Sequence, residues 1–340
     1  MNLNVSNEKK IRPWFTWIIS IVQIGIFVGE LINNLILTNS LIEKDFSLNP
    51  LIGPSPYVLI QMGSSFPICM HWVEGIEKNE SSREYPCPNG NKRGCTLSEL
   101  CGFEGVSGQP NQWYRFILPI CLHAGFVHLI LNLFTQLMVV RDIEKKIGVI
   151  RVSCIYFVSG IFGFILGGNF ASEGLSRMGC SGCLFGILAV ALLDLFYHWK
   201  QTKYPKIQLI IHLVNILINF GIGLLPGIDN FSHVGGFFMG LLLGIIILGS
   251  PANFRLCQQP SEGNICQQFF SNRRKRWWIW CFVRCFSLII AAGLFSFLIE
   301  NFYSQRVKCS SCIYISCLPV NGWCDIGKLN RTTTSTTDQN

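Results

Sequence analysis

The chain has 340 residues, of which half are hydrophobic and only 14% are charged, and its mean hydropathy is +0.39. A soluble domain carries about a quarter charged residues, so this composition excludes an ordinary soluble fold and points to an integral membrane protein with several spans. The net charge of +8 sits in short clusters between apolar runs, as the positive-inside rule describes; with no nucleic-acid motif present, nucleic acid is excluded as a partner.

Residues 1–13 are short and polar, with Lys9, Lys10 and Arg12, and read as a cytosolic tail without a signal peptide's basic start and cleavage site. Residues 14–37 form the first predicted span, opened by tryptophans as an interfacial anchor. Glu30 lies near its far end and is expected to reach the headgroups. Residues 38–113 make a long loop rich in proline and glycine, with Cys69, Cys87, Cys95 and Cys101 and the sequon Asn79-Glu80-Ser81. Four cysteines in a polar loop suggest two disulfides in an oxidising compartment, with three pairings open. The absence of a C-x-x-C pair there argues against zinc.

Residues 114–249 carry five predicted spans. The second span of the chain, 115–140, holds His123, His128 and Asn132; the last two share a helical face. Three polar side chains in one span are costly unless they line a cavity. A short basic loop, 141–151, follows. The third span, 152–170, contains Gly163-x-x-x-Gly167, a close-packing motif. The fourth, 179–197, opens with Gly179-Cys180-Ser181-Gly182 and ends at a basic connection. The fifth is 207–225 and the sixth about 233–248, where His233, Gly236, Gly240 and Gly244 fall on one face. Residues 250–276 form a cytosolic basic loop, and 277–300 a seventh span with Trp277, Trp278 and Trp280 at its start. Arg284 there is expected to snorkel. The tail, 301–340, has Cys309, Cys312, Cys317 and Cys324, the sequon Asn330-Arg331-Thr332 and a threonine-rich end. Its Cys309-x-x-Cys312 keeps a zinc reading open beside the disulfide one.

Basic loops after spans two, four and six put the N-terminus in the cytosol and the C-terminus on the lumenal or extracellular side. Both sequons and eight of the 16 cysteines then fall on the oxidising side, which suits a multi-pass protein of the secretory pathway (Golgi, plasma membrane or endoplasmic reticulum). Ser181 and His233 open spans that begin on that side. His128 and Asn132, counted from the start of span two, lie about 20 Å down it at 1.5 Å per residue. A later entry of span two into the membrane would bring all four to one depth. Ser181 between glycines is not the G-x-S-x-G elbow of soluble hydrolases, because Cys183 replaces the last glycine.

The motifs His123-Ala124-Gly125-Phe126-Val127-His128-Leu129-Ile130-Leu131-Asn132, Gly179-x-Ser181-Gly182-x-x-x-Gly186 and His233-x-x-Gly236-x-x-x-Gly240 come in order at fitting separations. In these, and in Trp113-Tyr114-Arg115 and Glu144-Lys145-Lys146-Ile147-Gly148, the sequence resembles the rhomboid family of intramembrane serine proteases, with a seventh span after the catalytic six as in its secretase-type eukaryotic branch and a long first loop as in fungal members. The resemblance implies an all-α polytopic membrane fold, a six-helix rhomboid core plus a C-terminal seventh helix. It also implies cleavage of single-span membrane proteins within the lipid bilayer. Ser181 would be the nucleophile and His233 the general base, a dyad without an orienting acid. His128, Asn132 and the Ser181 backbone N–H would stabilise the oxyanion. Phe185 would stack on the base, His123 would shape the cavity, and Gly179, Gly182, Gly236 and Gly240 would permit close approach. One departure of this sequence from the family's pattern is Cys180, where alanine is common. No cofactor or metal is required, and there is no H-E-x-x-H. The alternatives are a catalytically silent rhomboid-like protein that binds or traffics membrane clients and, further off, a transporter with a histidine relay.

Overall fold

In the computed structural model, residues 12–71, 85, 87, 94–102, 111–171, 174–224, 228–249, 273–307, 309–312 and 315 are described. The terminal tail threonines, Cys317, Cys324, both sequons and most of the 250–276 loop lie outside them. Among the described residues the protein is all-helical, with only isolated β-bridges. Six helices among the described residues are long and apolar enough to cross a membrane: α1 (Trp14–Thr38), α4 (Phe126–Ile147), α5 (Val149–Phe170), α7 (Pro205–Ile222), α8 (Asn230–Ile247) and the apolar part, Trp277–Ser304, of α9 (Arg273–Ser304). The remaining apolar helix, α6 (Ser181–Tyr197), has 17 residues. Two short helices, α2 (Pro56–Gln61) and α3 (Leu97–Cys101), lie in the first loop.

That loop is a folded unit rather than a plain connection. Disulfides join Cys69 to Cys101 and Cys87 to Cys95, which selects one of the three pairings. Thr96 and Glu99 form a capping box on α3. Arg115, fully buried, donates to the carbonyls of Ile60, Ser64 and Cys101 and to the side chain of Gln112. Cys309 and Cys312 are also disulfide-bonded.

Four features differ from the sequence expectation. The second span does not begin at 115. Residues Trp113–Phe116 and Leu118–Ile120 form 3₁₀ turns, and α4 starts at Phe126. Pro119 lacks the N–H a continuing helix needs, and Gly125 lies so close to the Leu51 carbonyl that a Cβ would overlap it. Most of the expected basic loop is instead the basic end of the same helix, which runs through a π segment, Gln136–Val140, to Ile147. Only Gly148, at φ +88°, separates it from α5.

Glu30 does not reach the headgroups. It is fully buried, and its Oε1 accepts the His123 backbone N–H at 3.1 Å. It belongs to a stripe of buried polar residues, Thr16, Ser20, Gln23, Glu30 and Asn34, on the inward face of α1. Glu144 caps the start of this helix by accepting from Phe15 N, Thr16 N and Thr16 Oγ1. Deeper in, Gln136 donates to Ser20 and Gln23 and accepts from the Tyr156 hydroxyl. Arg284, for its part, is not simply snorkelling. It donates to the Leu248 carbonyl and lies over the Trp280 ring.

The helices that matter for the site are α5, α6 and α8, which pack through glycines. A Cβ on Gly236 would overlap the Gly182 carbonyl, and one on Gly240 the Gly186 carbonyl. On α5, Gly163 faces the Ser232 carbonyl and Gly167 the Asp229 carboxylate. Small residues are what let membrane helices approach backbone to backbone.

Candidate active site

Ser181 is the first residue of α6, with Cys180 as its N-cap. Its backbone N–H is therefore among the free donors of a helix start, where the dipole favours negative charge. Asp229 caps α8, accepting from Phe231 N and Ser232 N, so that His233 falls in the first turn. Because Gly182 and Gly236 bring these two helix starts together, His233 Nε2 lies 2.8 Å from Ser181 Oγ. This is the hydrogen-bond distance that a nucleophile and its base require.

The imidazole is held by packing. Phe185, one turn along α6, stacks on it with ring centroids 4.5 Å apart and planes 20° apart. Phe220 of α7 touches both, 4.5 Å from Phe185 and 6.5 Å from His233. Sequence reading missed Phe220, since an aromatic residue in an apolar span carries no signal of its own. His233 Nδ1 is buried and has no hydrogen-bond partner among the described residues. Among the described residues the pair has no orienting carboxylate.

On the other side of Ser181, Gly179 has φ +110°. A Cβ there would meet His128 Nε2 at 2.7 Å and Asn132 Nδ2 at 3.4 Å. These two side chains therefore converge on the turn that leads into Ser181. Both residues are 6% exposed, and among the described residues His128 Nδ1 and Nε2 and Asn132 Nδ2 have no hydrogen-bond partner. Buried donors without partners are expensive unless something binds there. The late start of α4 accounts for their depth: His128 is its third residue rather than a residue three or four turns down a longer span. His123 lies just outside α4. Its ring is 5.5 Å from that of His128, and its Nε2 is 3.9 Å from Cys180 Sγ. It touches neither Ser181 nor His233 by any hydrogen bond among the described residues. No cluster of His, Cys, Asp or Glu suited to a metal occurs among the described residues.

A membrane bundle with a half-buried serine and a buried histidine at the starts of two glycine-packed helices defines an intramembrane hydrolase of the serine type. The comparisons with known proteins agree with that class. The rhomboid domain matches residues 110–250. Over 95% of its length the chain is 41% identical to rhomboid-type serine protease 2 of Emericella nidulans, covering 73% of that protein. RHOMBOID-like protein 4 of Arabidopsis thaliana is 29% identical over 97% of the chain and 77% of its own length. Inactive rhomboid protein 1 of Danio rerio is 33% identical over 69% of the chain, which covers 25% of that protein. The chain belongs to the rhomboid family.

Proposed function

We propose that this rhomboid is an active intramembrane serine protease in which Ser181 and His233 carry the chemistry. The observation that carries this reading is the 2.8 Å contact between Ser181 Oγ and His233 Nε2 beside buried polar groups of His128 and Asn132 that have no partner among the described residues. In the first step His233 Nε2 takes the hydroxyl proton as Oγ attacks the scissile carbonyl. The negative charge on the carbonyl oxygen is met by His128, Asn132 Nδ2 and the Ser181 N–H. Collapse expels the amine, which receives the proton from His233, and leaves an acyl-serine. Water then repeats the sequence, with His233 again the base. The stacked Phe185 ring supports the transient imidazolium where a triad would use a carboxylate.

The site's depth suits a membrane substrate. A helix of 17 residues spans about 25 Å, less than the roughly 30 Å hydrocarbon core, so one end of α6 lies below the headgroups. We assign that end to Ser181. The substrate class is then a membrane protein presenting one helical span, entering beside α7. The disulfide-bearing first loop and the end of α9 are in contact, His71 against Phe302 at 4.3 Å. Oxidised cysteines on both support a lumenal or extracellular site, a cytosolic N-terminus and a secretory membrane. The silent-relative reading, suggested by the inactive rhomboid among the relatives, is disfavoured by the intact pair.

The decisive experiment is cleavage of a panel of single-span membrane proteins by the full chain in liposomes, with Ser181→Ala as control. Cleavage that depends on Ser181 supports the assignment. Equal cleavage by Ser181→Ala ends it.

A further inference from the structure

A charged residue stands four positions before Ser181 and another four positions before His233, and the two face each other. Arg177 and Asp229 are 1% and 8% exposed. Arg177 Nε lies 3.8 Å from Asp229 Oδ2, and its Nη1 donates to the Gly167 carbonyl at 2.8 Å. Its Nη2 has no partner among the described residues. The carboxylate has further tasks. Oδ1 accepts Phe231 N and Ser232 N at 3.0 and 3.3 Å, and Oδ2 accepts the Ser232 hydroxyl at 2.5 Å. Gly167 makes room for it, because a Cβ there would overlap Oδ2.

The arginine backbone is fixed as well. Arg177 and Ser65 of the first loop exchange both backbone hydrogen bonds, at 2.8 and 3.0 Å, and the Ser64 and Ser176 hydroxyls lie 2.7 Å apart. A single pair thus joins the first loop, the end of α5, the turn entering α6 and the cap of α8. Burying a guanidinium with so few hydrogen bonds is costly unless a fixed carboxylate offsets the desolvation. Burial draws the Arg177 pKa below the ordinary arginine value and Asp229 opposes it.

We propose that Arg177 and Asp229 are positioning residues for proteolysis: their ion pair sets the relative placement of the α6 and α8 starts and thereby holds Ser181 against His233. The proposal rests on the protease reading above, and its test separates the two. Asp229→Asn keeps a good N-cap while removing the charge that faces Arg177. Arg177→Met removes the other partner, and Arg177→Lys keeps the charge.

For each variant in liposomes, a fluorophosphonate probe gives two readings on Ser181. The final extent of labelling counts folded sites, and the labelling rate reports activation of the hydroxyl. Per folded site, we expect Asp229→Asn and Arg177→Met to lower kcat and labelling rate about tenfold to a hundredfold with KM within about twofold, as small misplacements of reacting groups do. Arg177→Lys should recover much of the rate. Wild-type kcat and labelling rate per folded site in Asp229→Asn would overturn the positioning role, as would loss of all labelled protein in Asp229→Asn and Arg177→Lys alike, which would make the pair a folding determinant only. Ser181→Ala run alongside tells these failures from that of the protease reading, which alone predicts that it is inert.

Discussion

Two neighbouring helices of the site, α7 and α8, are held in opposite ways. Half of α8 is buried, against 6% of α7. The α8 helix meets α6 backbone to backbone at Gly182–Gly236 and Gly186–Gly240, whereas α7 buries Ile216 alone and leans on the site through Phe220. Close-packed interiors respond to a single methylene, and loosely packed elements move at little cost. The proposed dyad is thus mounted where geometry is stiff, and the flank proposed for substrate entry is where geometry is soft.

The largest effects should fall on the stiff side. Ser181→Ala and His233→Ala should each leave no measurable cleavage, and the double variant should be no worse, since the two act as one unit. Additive losses in purified protein would break that picture. Gly236→Ala comes next. Its methyl would overlap the Gly182 carbonyl, so α6 and α8 must separate, at a cost of about 1–3 kcal/mol in stability and with most activity lost. Thermal unfolding in detergent and a cleavage assay check both. Wild-type behaviour in each would mean that the seam is not tight.

Asn132→Ala should lower kcat by about 10²–10³-fold, or roughly 3–4 kcal/mol, with residual activity from the remaining donors. Steady-state kinetics would sharpen the division of labour, because full activity would pass the oxyanion to His128 and the backbone. Phe185→Leu removes the stacked ring and should cost about 0.5–1.5 kcal/mol, up to roughly tenfold in kcat. On the soft side, Leu217→Ala changes a residue that is 68% exposed. It should leave the rate of fluorophosphonate labelling unchanged and alter cleavage by no more than about twofold. A large loss there would show that α7 is part of the stiff framework after all.

Much of this contrast was legible in the sequence, and the parts that were not share a cause. The glycine spacing of Gly236 and Gly240, and the motif residues around Ser181, His233, His128 and Asn132, are local patterns that survive without coordinates. Hydropathy, by contrast, does not distinguish a helix from 3₁₀ turns in an apolar run. Residues 115–122 therefore read as part of a span, and the site's histidine and asparagine seemed too deep. The reverse error places a loop at 141–151, where the helix in fact runs on to Ile147, since the basic end of a long helix looks like a basic connection. Glu30 was misread because its neighbours on the stripe were not counted together. Thr16, Ser20, Gln23 and Asn34 each look incidental, yet spaced three, four or seven apart they define an inward face. Arg177 and Asp229 were opaque for another reason: their meeting depends on how two turns distant in the chain come to lie side by side.

The polar stripe on α1 also bears on how the protein is made. During synthesis α1 leaves the ribosome before any of its partners exists. Gln136 and Glu144 lie 113 and 128 residues beyond Gln23 and Thr16, and His123 lies 93 residues beyond Glu30. Until they arrive, the Glu30 carboxyl and the Gln23 carboxamide would lack these partners, and an acidic group alone at mid-helix costs about 2.5–3.5 kcal/mol on the insertion scale. The inward face of α1 is therefore complete only once α4 and α5 have reached it.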